Sequence, residues 1–522
     1  MPVGPHRILR QVSMLVAVTL LAAVGCTAGP SDRPAVAVRD TGLPPPRPMP
    51  ATSSIPPLPP LGAYNPRSLL WRDCTAPITT QLGTPGPARV ECAELRVDAD
   101  GSLPAFGDFL ELDLTRVGRG PAPLVVLGEA AGEPGTVRAA RLAGQLPPAV
   151  LDSVTLLGLA RRGTGTSEPL DCVPVSTRTR IIGVDPEAGA PGHLDELLDV
   201  TRTAIQTCVQ ELGEMLTAIN SIGTADDLET LRVRLGAPVL NVISQGDGSR
   251  AVTDFLRRYP TSVGRVVLDG TADPTLDAVT GAEAAAVAAE AGFTAFATDC
   301  VARRCPLGAD PRAMLLALTD ALRRAPLWVG RLQVTAGTAY QAVLEAIGTP
   351  ERWPELAQAL AAARGGDGSG VAALVAPLLV PTRGLPARFD PALATHCNDT
   401  PTRVPPERAA QLVEQWRQRS PLFGPLFAQR LLLCSAWPVP SKPPVGPGRW
   451  ALPPVLVIAT AADPLSPAEG ARRTAEALPS ATLVTWQGQA HGALPRSACT
   501  VALVTRFLTK AAVPPQGTLC PP

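Results

Sequence analysis

The chain has 522 residues, with 46 basic against 46 acidic side chains and so no formal net charge at pH 7. That balance excludes a nucleic-acid or general polyanion partner, which would need a basic face. Hydrophobic residues make up 45% of the chain, enough at this length for a large buried core and a sizeable insertion.

The N-terminus carries Arg7 and Arg10, then an apolar stretch over 12–24, then Gly25 and Cys26. This is a secretory pattern, too short and wrongly flanked for a membrane span. Ala23-Val24-Gly25-Cys26 resembles a bacterial lipobox, although Ala23 stands where leucine is commoner. It predicts a signal peptide over 1–25 and a lipid anchor at Cys26 to the outer face of the membrane, where two acyl chains suffice for stable anchoring; the alternative is ordinary cleavage and a freely secreted protein. Residues 26–66 are rich in proline, with Pro44-Pro45-Pro46, Pro56-Pro57 and Pro59-Pro60, and predict an extended, semi-rigid tether. Of the eleven cysteines, setting Cys26 aside leaves an even number in a chain bound for an oxidising compartment, which predicts five disulfides. The histidines His6, His193, His396 and His491 show no ligand spacing with cysteine, so no metal site is expected.

Farther on, Phe109-Leu110-Glu111-Leu112-Asp113-Leu114 alternates with period two and predicts an antiparallel opening strand. Buried strands follow at 124–127 and 153–157, separated by the loop Gly128-Glu129-Ala130-Ala131-Gly132-Glu133-Pro134-Gly135. Strands alternating with helical patterns imply a parallel sheet. The run Arg162-Gly163-Thr164-Gly165-Thr166-Ser167 lacks phosphate-cradle spacing and reads as a structural turn. A helix is predicted over 194–219, its apolar residues on one face and packed in the core.

The stretch 239–250, Val-Leu-Asn-Val-Ile-Ser-Gln-Gly-Asp-Gly-Ser-Arg, is an apolar run leading into a small-residue turn. A helix follows, with Val252, Phe255, Leu256 and Tyr259 at helical spacing. Such a turn needs small residues two before and two after its tip. Ser244 and Gly248 satisfy this around Gly246, whereas a tip at Asp247 would put Gln245 in a tight position. A buried strand at 265–268 runs into Asp269-Gly270-Thr271-Ala272-Asp273-Pro274, and alanine-rich helical segments broken by proline and glycine then occupy 276–440. The sheet resumes at 455–459 ahead of Asp463-Pro464, and a later strand at 481–486 leads to Gly488-Gln489-Ala490-His491-Gly492.

The turn around Gly246, together with Asn241, Tyr259-Pro260, residues 264–270 and Asp273-Pro274, resembles the secreted tripeptidyl-aminopeptidase-like family of α/β-hydrolases, relatives of proline iminopeptidases. The resemblance implies an α/β-hydrolase fold: a mostly parallel, doubly wound sheet with an inserted helical cap. It divides the mature chain into a first core part over 67–275, a cap over 276–440 and a C-terminal core part over 441–522. It places Asp463 at the triad acid and His491 at the general base. Gly246 falls where the family's Gly-x-Ser-x-Gly elbow holds the nucleophile. Asp247 follows that position and would supply one oxyanion amide, while Glu129 and Ala130 occupy loop positions that the family fills with glycine. With sequence proximity, the resemblance pairs Cys74 with Cys92, Cys172 with Cys208, Cys300 with Cys305, Cys397 with Cys434, and Cys499 with Cys520. It implies no cofactor.

Gly246 carries no nucleophile, and carboxylates at Asp247 and Glu129 would repel a developing oxyanion, at a step where losing one donor costs about 10²–10³ in rate. The expected protein is a pseudo-hydrolase whose pocket binds a peptide or small amine-bearing ligand at Glu129, Asp247 and His491. The alternative is a residual or serine-independent peptidase or esterase using His491, Asp463 and Asp247. Ser249, one turn past the elbow, is expected to cap or pack, and Ser244 to point away from the pocket.

Overall fold

The computed structural model describes residues 55–99, 109–187, 193–273, 277–438 and 450–522. The signal peptide, Cys26, the tether up to residue 54 and the expected boundaries at 275–276 and 440–441 lie outside the described residues.

Runs of branched aliphatic residues bounded by glycine and proline set the strands. In chain order these are β1 (Arg72–Asp73), β2 (Glu91–Asp98), β3 (Phe109–Val117), β4 (Ala122–Leu127), β5 (Val154–Leu159), β6 (Leu240–Gln245), β7 (Val263–Asp269), β8 (Leu327–Val329), β9 (Leu332–Val334), β10 (Val455–Thr460), β11 (Ala481–Trp486) and β12 (Thr518–Cys520). Ten of them form one sheet in the order β1-β2-β3-β5-β4-β6-β7-β10-β11-β12, and β8 pairs with β9 apart from it. The pairings from β1 through β3 to β5 are antiparallel. Those from β5 onward are parallel. Every residue of β4, β5, β6, β7 and β10 is buried, as parallel strands covered by helices on both faces require. The sequence reading passed over β2, which alternates as β3 does and pairs with it along its whole length.

Three apolar clusters fill the interior. Val125, Leu127, Val242, Phe255 and Val266 belong to the cluster on one face of the sheet, and Leu124, Val126, Ile243, Val267 and Phe507 to that on the other. The third joins Leu170, Ile181, Leu198 and Ile205 to Phe293, Tyr340, Leu360 and Phe423. The expected division is therefore corrected. Residues 170–219, assigned to the first core part, pack with the helices after β7, so the cap is built from two separated stretches. The long helix of the first stretch also ends early. It spans His193–Leu212 and gives way to a 3-10 turn at Gly213–Ala218, because Gly213 adopts φ +52, which leaves the right-handed helical region.

The end of the tether is a second correction. Leu58 and Leu61 pack against one sheet cluster and Tyr64 against the other, and the Asn65 N–H donates to the Leu235 carbonyl at 2.8 Å. Residues 55–66 therefore lie on the core and do not act as a free spacer. The structure bonds Cys74–Cys92, Cys172–Cys208, Cys300–Cys305, Cys397–Cys434 and Cys499–Cys520.

A buried ion pair joins the two cap stretches. Arg178, 1% exposed, donates from Nε to Asp390 Oδ1 at 2.7 Å, and the Asp390 side chain is 0% exposed. Asp390 Oδ2 also accepts the N–H groups of Cys172 and Val173 at 2.8 and 2.7 Å. Arg178 also pairs with the exposed Asp171, so Asp390→Ala leaves the buried guanidinium only partly compensated and is expected to destabilise the protein by about 3 kcal/mol, the low end for a broken buried pair. Urea unfolding with the disulfides intact measures it, and a loss below about 1 kcal/mol would mean that the pair does not hold the stretches together.

Candidate active site

β4 and β6 are parallel neighbours, with Val126 opposite Ile243 and Leu127 opposite Ser244. From β4 the chain passes to β5 on one side and later to β6 on the other. The crevice beyond their C-terminal ends is thus the switch point at which open α/β sheets place ligands. Glu129 and Gly246 each stand two residues past a paired position, so the two loops meet. Gly246 has φ +53 and its N–H donates to the Asp269 carbonyl at 3.1 Å. This is the left-handed conformation of a sharp strand-to-helix turn, strained for most residues and open to glycine. The helix Gly248–Arg258 starts directly after it. The Ser249 hydroxyl is buried and donates to the Gly246 carbonyl at 2.6 Å, a packing role. The Ser244 hydroxyl is buried, and Ser244 does not line the cavity.

Asp463 and His491 come from the loops after β10 and β11. Asp463 Oδ1 accepts the N–H groups of Leu465 and Ser466 at 2.9 and 2.8 Å, which fixes the carboxylate. It lies 3.0 Å from His491 Nδ1, with Oδ2 at 3.2 Å. The loop carrying His491 is held on three sides. Gln245 Nε2 donates to the His491 carbonyl at 2.9 Å, buried Asp269 accepts the N–H groups of Ala493 and Leu494 at 2.8 and 2.9 Å, and the His491 N–H donates to Gly348 of the cap at 2.8 Å.

The other ring nitrogen, His491 Nε2, lies 2.9 Å from Glu129 Oε2. A Cβ at position 246 would stand 1.7 Å from Glu129 Oε1. The Glu129 carboxylate thus fills the volume that a side chain at the elbow tip would take, and it makes that side chain's contact with the histidine. Burial alone would raise the Glu129 pKa. Attraction to the His491 imidazolium, with help from the Asp247 backbone N–H, holds it down at about 2. Burial likewise opposes charge on His491, yet Glu129 and Asp463 on either side keep its pKa well above 6.5. Protonated at neutral pH, the ring cannot take a proton from a nucleophile.

Asp247 is committed too. Its Oδ1 accepts Arg161 Nη1 at 2.9 Å and the Ala130 N–H at 3.1 Å. Burial raises the Asp247 pKa and Arg161 works against that rise. The loop amide available to an oxyanion is therefore already bonded to a side chain of the protein.

Residues 420–520 match the family of TAP-like proteins. The "Serine protease Hip1" of Mycobacterium tuberculosis is 26% identical over 479 residues, covering 86% of this chain and 90% of that protein. "Carboxylesterase B" of the same species is 26% identical over 488 residues, with coverages of 87% and 90%. The C-terminal part of the chain therefore carries a TAP-like region, and most of its length is similar to these two hydrolases. Among solved structures, an α/β-hydrolase fold protein from Chitinophaga pinensis shares 11% identity, covers 80% of this chain and 96% of its own, and has a TM-score of 0.34.

Cap and core enclose a cavity of about 1730 Å3 lined by Glu129, Ala130, Asp247 and His491, larger than the usual ~300–1,000 Å3 of small-molecule sites. The expectation of an acidic, amine-binding pocket rested on Glu129 and Asp247. Both face a cation within the protein, so that observation no longer supports it. Sequence reasoning missed Arg161 as a site residue, since it covers only the run that follows, 162–167, and reads that run as a turn. The available signal was an arginine directly ahead of that turn while a carboxylate, Asp247, stands beside the elbow tip.

Because the Glu129 pKa is depressed, its contribution to stability is present above its ordinary value of 4.5 and is lost as the pH falls toward 2. Because the His491 pKa is raised, its contribution is complete below 6.5 and is lost only as the pH climbs through the elevated value. Glu129→Gln is expected to lower the His491 pKa toward the ordinary range. Side-chain ¹⁵N shifts of His491 across a pH titration measure this, and an unchanged midpoint would refute the ion pair.

Proposed function

We propose that this protein is an extracytoplasmic pseudo-hydrolase of the TAP-like family, lipid-anchored through Cys26, whose cap-covered cavity binds a peptide or small molecule without cleaving it. The observation that carries this reading is the Glu129 carboxylate, seated against His491 in the space of a side chain at Gly246. Gly246 takes the place of the family's nucleophilic serine. Three requirements of acyl transfer fail at once: there is no hydroxyl, the base already holds its proton, and the Ala130 amide is bonded to Asp247. The disulfides and the Hip1 relative fit an extracytoplasmic protein, and residues 23–26 support the anchor. A serine-independent hydrolase using Asp247 has less support, since that carboxylate is bonded to Arg161 and Ala130.

Hydrolysis of tripeptide amides and short-chain esters by the purified mature protein, disulfides formed, tests the reading. Wild type is expected to be silent. Gly246→Ser alone stays silent because its Cβ meets Glu129. Gly246→Ser combined with Glu129→Gly frees the elbow and gains turnover, held back about 10²–10³-fold while Asp247 covers the Ala130 amide. Turnover by wild type that His491→Ala abolishes would overturn the proposal.

A further inference from the structure

Four of the arginines that line the cavity form ion pairs: Arg141 with Glu133, Arg388 with Glu345, Arg352 with Glu355 and Arg496 with Glu351. Among the described residues Arg138, Arg383, Arg250 and Arg430 line it without one; Arg138 has the charges of Asp269, Glu133 and Glu129 acting on it, and Arg250 and Arg430 come together beside His396. Arg250 lies in the first turn of the helix that follows the elbow, lines the cavity, and has a buried Nε with no hydrogen-bond partner. Arg430 reaches the same cavity from the cap at the end of the helix Gly424–Arg430. Its Nη2 donates to the neutral Gln341 side chain at 2.6 Å, and its guanidinium stands 4.9 Å from the centre of the Phe427 ring. Burial pushes its pKa down to about 10, more than the charge of Glu345, which is already paired with Arg388, restores. His396 lines the cavity as well. Its enclosure, followed by the charges of Arg250, Arg430 and Arg403, holds its pKa at about 4, with no carboxylate acting on it. The ring is neutral at pH 7 and so offers these arginines no negative charge.

A guanidinium removed from bulk water without an anion is costly, and its planar fork matches a carboxylate with two parallel hydrogen bonds. The same wall presents Leu393, Leu426 and Phe427 to the cavity. We propose that Arg250 and Arg430 form an anion site that takes the carboxylate of a ligand with an apolar body, either a peptide's free C-terminus or a fatty acid. The inference rests on the reading that the cavity keeps a ligand after losing its chemistry, and it names that ligand's charged group.

Calorimetry on the mature protein with acetyl-Ala-Ala-Leu, its C-terminal amide and octanoate tests the site. A free carboxylate is expected to bind, with the amide about 10–100-fold weaker. Arg250→Gln/Arg430→Gln weakens carboxylate binding by a similar factor and leaves the amide unaffected. Arg250→Lys, which keeps the charge but not the fork, falls in between and serves if the double variant does not fold. Saturable binding of the peptide acid alone assigns a peptide C-terminus, and of octanoate alone a fatty acid. Equal binding of acid and amide, or no saturable binding of either carboxylate, overturns the proposal. Hydrolysis of the amide by wild type would instead defeat the pseudo-hydrolase reading, leaving the preference for a free carboxylate to be judged separately.

Discussion

The pairing of Leu127 with Ser244 across β4 and β6 is the constraint on which the rest depends. It ends two parallel strands at one level, so the loops that follow must cross within reach of each other. Asn241 locks that register from inside the sheet. Its Nδ2 donates to the Pro123 carbonyl of β4 at 2.9 Å and its Oδ1 accepts the Arg265 N–H of β7 at 2.8 Å, so one buried side chain spans three strands. A slip of one residue would turn every side chain of β6 to the opposite face and carry Gly246 away from Glu129. The parallel run onward to β7, β10 and β11 delivers Asp269, Asp463 and His491 to the same edge.

At that edge the charges are satisfied within the protein. His491 stands between two carboxylates, and Asp247 faces Arg161. Catalytic sites keep a base unprotonated and oxyanion donors vacant until the reaction calls on them. Here both are engaged in the resting state. Each engagement relieves the burial penalty of the others, since an unpaired carboxylate at Glu129 or Asp247 would be costly in this crevice. The volume exchange has the same logic, because the side chain missing at 246 leaves the room that Glu129 fills.

Much of this was legible in the sequence. Aliphatic runs between turn residues located β3 to β7, β10 and β11, and the spacing of small residues set the elbow tip at Gly246 without any tertiary information. Asp463 and His491 came from resemblance, since two residues 28 positions apart carry no local signal that they touch. The partner of Glu129 was not legible, because a carboxylate in a loop says nothing of its rotamer or of the space left by an absent side chain 117 residues away, at Gly246. Glu129 and Asp247 were both noticed, but as charges that oppose an oxyanion, since Arg161 and the imidazolium of His491 reach them only in the folded state. The helix before the elbow was expected in the core because its apolar stripe shows that it is buried and not what covers it.

The cap's construction from two stretches, 170–219 and the helices after β7, has a consequence for how such domains diversify. Leu198 and Ile205 share one apolar cluster with Phe293 and Phe423, and Arg178 is neutralised by Asp390. Transplanting only the segment between β7 and β10 from a relative would strand an aliphatic face on the recipient's side and leave Arg178 with only the exposed Asp171. New specificities are therefore expected to arise by exchange of both stretches together or by point changes within the roof, and a chimaera that respects only one seam inherits an exposed core.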